Sequence, residues 1–228
     1  MSNRQITSIA ALRILLLVLA LFSSPLRADE CDQLPLPSVT VKRLDEPVIL
    51  ETRYSHKALS VLSAKAERGK TRTLGLTRGE VTVSFDVKMA YHIDRSGRWE
   101  CASPQLVLTY GFNPVTVYVA KEFPEGSCAY GEIYTHELRH VSTYQEHLAR
   151  IEPDLVDTLT RRFATGGPWR GPVGQIHNTL QKELEERWVP YIQREIGRVE
   201  SAQALIDTPE EYERVSNLCD GEIRRLSH

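Results

Sequence analysis

Alternation of apolar and polar residues organises the first half of the chain. From residue 81 to 89 every second position is apolar: Val81, Val83, Phe85, Val87 and Met89. A period of two places those side chains on one face of a half-buried strand. Asp94, Arg95, Ser96 and Gly97 supply a turn, and residues 99–110 read as a second strand. Gly111, Phe112, Asn113 and Pro114 mark another break, after which Val115, Val117 and Val119 alternate in a third strand. Two short β-branched runs, 38–41 and 47–50, lie ahead of these strands. A short helix is expected over 55–67, with Leu59, Leu62 and Ala66 near helical spacing.

Past Pro124, Glu125 and Gly126 the period becomes helical. Residues 128–150 read as a first long helix and 152–164 as a shorter one. Gly166, Gly167, Pro168, Gly171 and Pro172 make a turn-rich connection. A long helix is expected over 173–205, kinked at Pro190 because proline removes a helical hydrogen bond. Thr208, Pro209 and Glu211 open a last helix as N-cap, first-turn proline and capping-box glutamate. The expected fold class is α+β: an antiparallel β-meander followed by a helical half. No internal repeat or low-complexity segment interrupts it.

One apolar run, residues 14–22, stands apart from this pattern. Arg4 and Arg13 precede it, and Ser23, Ser24, Pro25 and Ala28 follow. That order is the signature of a secretory signal peptide, and the run falls short of the roughly 20 residues needed to span a bilayer. Cleavage is expected after Ala28, leaving residues 29–228 as a single periplasmic or secreted domain with no integral membrane segment. Loss of Arg4, Arg13 and Arg27 takes the formal charge from −2 to −5. A chain without a basic surplus is not expected to bind nucleic acid. Hydrophobic residues at 41% and charged residues at 25% exclude extended disorder and fibrous classes. Cys31, Cys101, Cys128 and Cys219 form an even set in an exported chain, so two disulfides are expected, with three connectivities open. Spacing favours Cys101–Cys128, which would close a short loop worth about 3–4 kcal/mol, with Cys31–Cys219 tying the ends together.

Residues 136–140 read His-Glu-Leu-Arg-His. Positions i and i+4 of a helix lie one turn apart on one face, so both imidazoles reach one ion at about 2 Å. The glutamate between them is placed to act on a metal-activated water as general base. Projected at about 100° per residue, Ile133, His136, Glu137, His140, Val141, Tyr144 and Leu148 share a sector, with Glu132, Arg139, Ser142, Glu146 and Arg150 opposite. The motif therefore faces the core, where an unpaired glutamate is costly. His136 and His140 are the expected zinc (Zn2+) ligands and Glu137 the catalytic base.

The third ligand is open. Glu146 occupies the spacing used in longer motifs, but Thr143 stands where a glycine would turn the chain back, so Glu146 and His147 read as surface or packing residues. His177, Glu183 and Glu195 lie on or near the apolar stripe of Ile176, Leu180, Leu184 and Tyr191, and Glu210 and Glu211 open the last helix; all five are candidates. His56 and His92 read as surface residues. The mildly basic stretch 57–78 reads as a solvated face, and Trp99, Trp169 and Trp188 as packing residues.

Several pieces resemble a bacterial family of predicted secreted zinc-dependent proteases. They are Tyr-Ser-His-Lys-Ala-Leu at 54–59, Leu-Gly-Leu-Thr-Arg-Gly at 74–79, Cys101 opening a strand pair, Val-Thr-Val-Tyr-Val-Ala at 115–120, and the His-Glu-Leu-Arg-His helix. The resemblance runs from about residue 54 to the C-terminal region and implies a zincin-like metallopeptidase acting on a peptide or protein substrate. That family's members carry Tyr-Asp and then Thr-x-His-Gly near the C-terminus. Here the stretch reads Ile206-Asp207-Thr208-Pro209-Glu210-Glu211-Tyr212, without a histidine. A carboxylate or another helix must then complete the site. Two other readings use the same residues: a non-catalytic envelope binding protein with a structural or vestigial metal site, and a hydrolase of cell-wall amides.

Overall fold

The computed structural model describes residues 29–63 and 72–226. The expected signal segment, the end of the first expected helix and His228 lie outside the described residues.

Five strands form one mixed sheet around a single hub. β1 (Ser38–Arg43) and β2 (Ile49–Glu51) are short, β3 (Gly75–Ile93) and β4 (Trp99–Val119) form a long hairpin, and β5 (Trp169–Pro172) returns from the helical half. One edge of β4 carries β3, antiparallel along nearly its whole length. Its other edge is covered in turn by β5, antiparallel at Trp99–Ala102, then β1 and β2, both parallel. The three-stranded meander is thus a two-stranded hairpin in a mixed sheet. The expected break at Gly111 to Pro114 is a bulge inside β4. Gly79 pairs with Val115 and Val81 with Phe112, so one residue of β3 faces two of β4. The strand continues because Tyr110, Phe112 and Val117, on both sides of the bulge, are buried. Of the alternation expected over 81–89, Val83, Phe85, Val87 and Met89 pack against the main core, whereas Val81, beside the bulge, is exposed.

The helices are α1 (His56–Leu62), α2 (Cys128–Phe163), α3 (Gln175–Glu183), α4 (Val189–Gly197), α5 (Glu200–Ala204), α6 (Pro209–Asn217) and α7 (Glu222–Leu226). The two helices expected over 128–164 are one, α2, of 36 residues with Pro153 inside it. Proline in a helix interior costs about 3 kcal/mol. Leu155, Leu159 and Phe163, all at 1% exposure or less, continue the buried stripe beyond it. Each contributes about 1.5–3 kcal/mol, so burial outweighs the lost hydrogen bond. The helix expected over 173–205 is divided. α3 passes through a π-helical turn at Leu184–Trp188, just before Pro190, and α4 and α5 follow. An irregular turn absorbs the missing proline donor there. Among the described residues no helix is long and apolar enough to cross a membrane.

Two cores result. The larger joins Leu106, Leu108 and Tyr110 of β4 to Leu155 and Leu159 of α2 and Ile192 and Ile196 of α4. The smaller joins Leu59, Val119, Phe123 and Ile133 to Val215 and Ile223 near the C-terminus. α2 contributes to both, and the stretch between Ile133 and Leu148 lies where they meet.

The disulfides are Cys31–Cys101 and Cys128–Cys219, not the pairing favoured by spacing. Parallel pairing sets Ser38 beside Gln105, which brings Cys31 back to the start of β4. Cys219 reaches the first turn of α2 because α6 and α7 pack over the smaller core. Loops of 70 and 91 residues are worth about 4–5 kcal/mol each in the chain-entropy view. Peptide mapping of the unreduced protein is expected to recover only these two linkages. A Cys101–Cys128 cross-link would contradict the parallel placement of β1.

Candidate metal centre

Ser127 caps α2 by accepting from the Tyr130 amide at 3.2 Å, which fixes the register of the helix that follows. The first residues of the motif then fall where the two cores meet. His136, Glu137 and His140 are all buried, at 7%, 4% and 8% exposure. The sector derived from the sequence is therefore the inward one.

The third group is Asp207, on the connection between α5 and α6. Ligand atoms of His136, His140 and Asp207 all lie within 4.8 Å of one another. His136 Nε2 lies 3.3 Å and His140 Nε2 3.2 Å from the same oxygen, Asp207 Oδ1. Tetrahedral zinc with bonds of about 2.0–2.2 Å has ligands about 3.3–3.6 Å apart, so the two histidine–aspartate separations suit one shared ion.

The far sides of the rings explain how those atoms are aimed. Gln203 Nε2 donates to the His140 carbonyl at 3.0 Å, which leaves its Oε1 facing His140 Nδ1 at 2.5 Å. Nδ1–H is then the donor, and the neutral ring presents a lone pair on Nε2 toward Asp207. An acceptor faces a carboxylate, and only a proton or a cation between them makes the arrangement favourable. On His136, Glu211 Oε1 lies 3.3 Å and Arg139 Nη2 2.7 Å from Nδ1. Arg139 can only donate, so at 2.7 Å it takes Nδ1 as an acceptor and puts the His136 proton on Nε2, toward Asp207. An ion on Nε2 requires the other tautomer, with Arg139 drawn off to Glu211 and Nδ1–H donating to Glu211. Arg214, donating to Glu211 at 2.9 Å, holds that carboxyl down to about 2, with His136 and Arg139 adding to the effect. Tyr212 hydrogen-bonds the Asp207 carboxylate; burial and the Asp207 charge push its hydroxyl pKa up, so it stays a donor.

Glu137 lies between the histidines. Burial pushes its pKa up, while the charges of His140 and His136 and a hydrogen bond from Thr77 pull it back. Thr77 Oγ1 donates to Glu137 Oε2 at 2.8 Å and also approaches the Glu137 carbonyl at 3.1 Å. β3 passes so close that Gly75 has no room for a side chain. A Cβ there would overlap Glu137 Oε1 and sit 2.7 Å from Ile133 Cγ2. The group opens onto a cleft of about 750 Å³.

The ligands expected elsewhere are not in the group. His177 is exposed on α3, and Glu146 and Glu210 are exposed as well. Glu183 binds Arg162 at 2.8 Å and accepts from Trp188 Nε1 at 3.1 Å. Glu195 pairs with Arg198 at 2.7 Å. Glu211 reaches the site only as the partner of His136 Nδ1. His147 is buried and packs with Nε2 donating to the Glu195 carbonyl at 2.8 Å. His56 and His92, read as surface residues, are half-buried and pair with Glu122 and Glu30. Asp207, Gln203 and Thr77 are absent from the expected set. Asp207 does sit in the stretch 206–212 that the family resemblance singles out. No protein-family model, no curated protein and no solved structure matches this chain.

Two outcomes are expected. Gln203→Leu should weaken zinc binding about 10–100-fold in a competition titration with a chromogenic chelator, while His177→Ala leaves it unchanged. In the metal-free chain burial pulls the His140 pKa down, but the Asp207 hydrogen bond and the Glu137 charge outweigh it, and the net shift is upward from 6.5. That proton stabilises the metal-free fold below the ordinary pKa, and the contribution fades as pH rises through the raised one. Zinc must displace it, so affinity should climb with pH through this window and then level off. Calorimetry in buffers of different ionisation enthalpy should show proton release at neutral pH, and zinc uptake without it would contradict the assignment.

Proposed function

We propose that the chain is an exported zinc-dependent peptidase. The observation that carries the reading is the convergence of His136, His140 and Asp207 beside a buried Glu137 at a cleft. Three protein ligands with an open direction match a catalytic zinc better than the four-ligand shell of a structural one. The spacing in the helix, the family resemblance at 54–59, 74–79 and 115–120, and two disulfides suited to an oxidising compartment support the same reading. A zincin-like arrangement, with strand β3 beside the motif helix, follows from it.

Zinc held there would supply a Lewis acid and lower the pKa of a coordinated water to about 7. Glu137 is the base. Thr77 holds Oε2, and the packing of Gly75 against Oε1 confines the carboxylate. In hydrolysis of an amide, water adds its oxygen to the acyl carbon and its protons end on the new carboxyl and amine groups. Glu137 takes one proton as the oxygen attacks and delivers it to the leaving nitrogen as the C–N bond breaks. Burial shifts its pKa upward from the ordinary carboxylate value, the direction that favours taking a proton from a metal-activated water.

An extended substrate has a strand to pair with. β4 offers no open edge at residues 115–119, where β2 and β3 flank it. The outer edge of β3 has no strand partner among the described residues. Leu74 accepts from Ala120 across the hairpin, so alternation turns the peptide groups of Gly75 and Thr77 to that outer edge, directly beside Glu137.

Glu137→Gln keeps the shape of the group and removes its basicity. The zinc-loaded variant should retain one zinc per chain and lose about 10²–10⁴-fold in hydrolysis of casein. A zinc-loaded wild type that cleaves neither casein nor peptidoglycan peptides would instead favour an envelope binding protein.

A further inference from the structure

The cleft has two apolar ends with the polar group between them. At one end Gly75 abuts Ile133, one turn before His136 on α2, and Leu62, Leu74, Val215 and Ile223 complete the wall. At the other end the Gly79 amide approaches the Tyr144 hydroxyl, one turn past His140. The Phe112 and Tyr144 rings pack there at a tilt, with centroids 4.2 Å apart, and Val81 and Val199 line the same wall. The first end belongs to the smaller core and the second to the larger. Neither end is an accident of one loose loop; each is the exposed margin of a packed core.

The length of the cleft sets what can lie in it. Ile133 and Tyr144 are eleven residues apart on one helix, about 16 Å along the axis. Extended peptide advances about 3.3 Å per residue, so about five residues fit, two or three on each side of the metal group. Seated along the outer edge of β3, alternate side chains of such a peptide point into the cleft and reach an apolar wall on either side of the scissile bond.

Resting on the peptidase reading, we propose that the substrate is an extended polypeptide segment with bulky apolar side chains on both sides of the cleaved bond. Leu62 determines the preference on one side and Val81 on the other. Both line the cleft yet remain 36% and 41% exposed, so charged replacements there do not enter a core.

The test uses the zinc-loaded protein and a mixture of unstructured peptides, with cleavage positions read by mass spectrometry. Sites should be enriched in Leu, Ile, Val, Phe and Met on both sides of the cut. Leu62→Arg and Val81→Arg, with zinc content and circular dichroism unchanged, should each shift the Leu-to-Glu preference about tenfold or more on one side only. The Glu137→Gln protein should show the same preference as a ratio of Kd values. Cleavage without apolar enrichment, or variants that shift neither side, would overturn this inference and leave the peptidase reading intact. Failure of the zinc-loaded protein to cleave any peptide would overturn the peptidase reading, and this inference with it.

Discussion

Two imidazole nitrogens each lie 3.2–3.3 Å from one carboxylate oxygen in a largely buried setting. Bare lone pairs repel at that distance and burial removes the water that would screen them, so a proton or a cation must lie between each imidazole and the carboxylate. The rest of the local structure keeps them there. Gln203 is anchored on the helix backbone and turns His140. Glu211 sits behind His136, itself held by Arg139 and Arg214. Tyr212 holds Asp207. His136, His140 and Asp207 could hold a cation here, which would replace the protons between them and turn the convergence into coordination.

Fold and site depend on each other through two long-range connections. Asp207 comes from the far end of the chain, and the segment that follows it is stapled to the first turn of the motif helix by Cys128–Cys219. β3 approaches the same helix closely enough to require Gly75, and so brings a strand edge and Thr77 to the base. The larger core carries the helix past Pro153, and the smaller one seats the C-terminal helices.

What the sequence made legible follows from range. Helical spacing is local, so the burial of His136, Glu137 and His140 could be read from the motif and its flanking sector. The alternation of Val83, Phe85, Val87 and Met89 could be read for the same reason. Asp207 could not be reached that way. It is 71 and 67 residues from the two histidines, and a carboxylate ahead of Thr208 and Pro209 looks like part of a helix start. The disulfides failed similarly, because parallel pairing of β1 with β4 sets Cys31 beside Cys101 against the logic of short loops. Turn residues such as Asn113 and Pro114 mark a bulge as readily as a turn, and only the shared core decides between them.

The central claim is that His136, His140 and Asp207 bind one zinc ion. X-ray absorption of the zinc-loaded protein comprising residues 29–228, wild type beside Asp207→Ala, tests it most directly. The account predicts one zinc per chain with only nitrogen and oxygen neighbours, two of them imidazoles, and a shell that loses an oxygen donor and its tight affinity in the variant. Zinc that fails to bind the wild type, or a shell unchanged by Asp207→Ala, would contradict it.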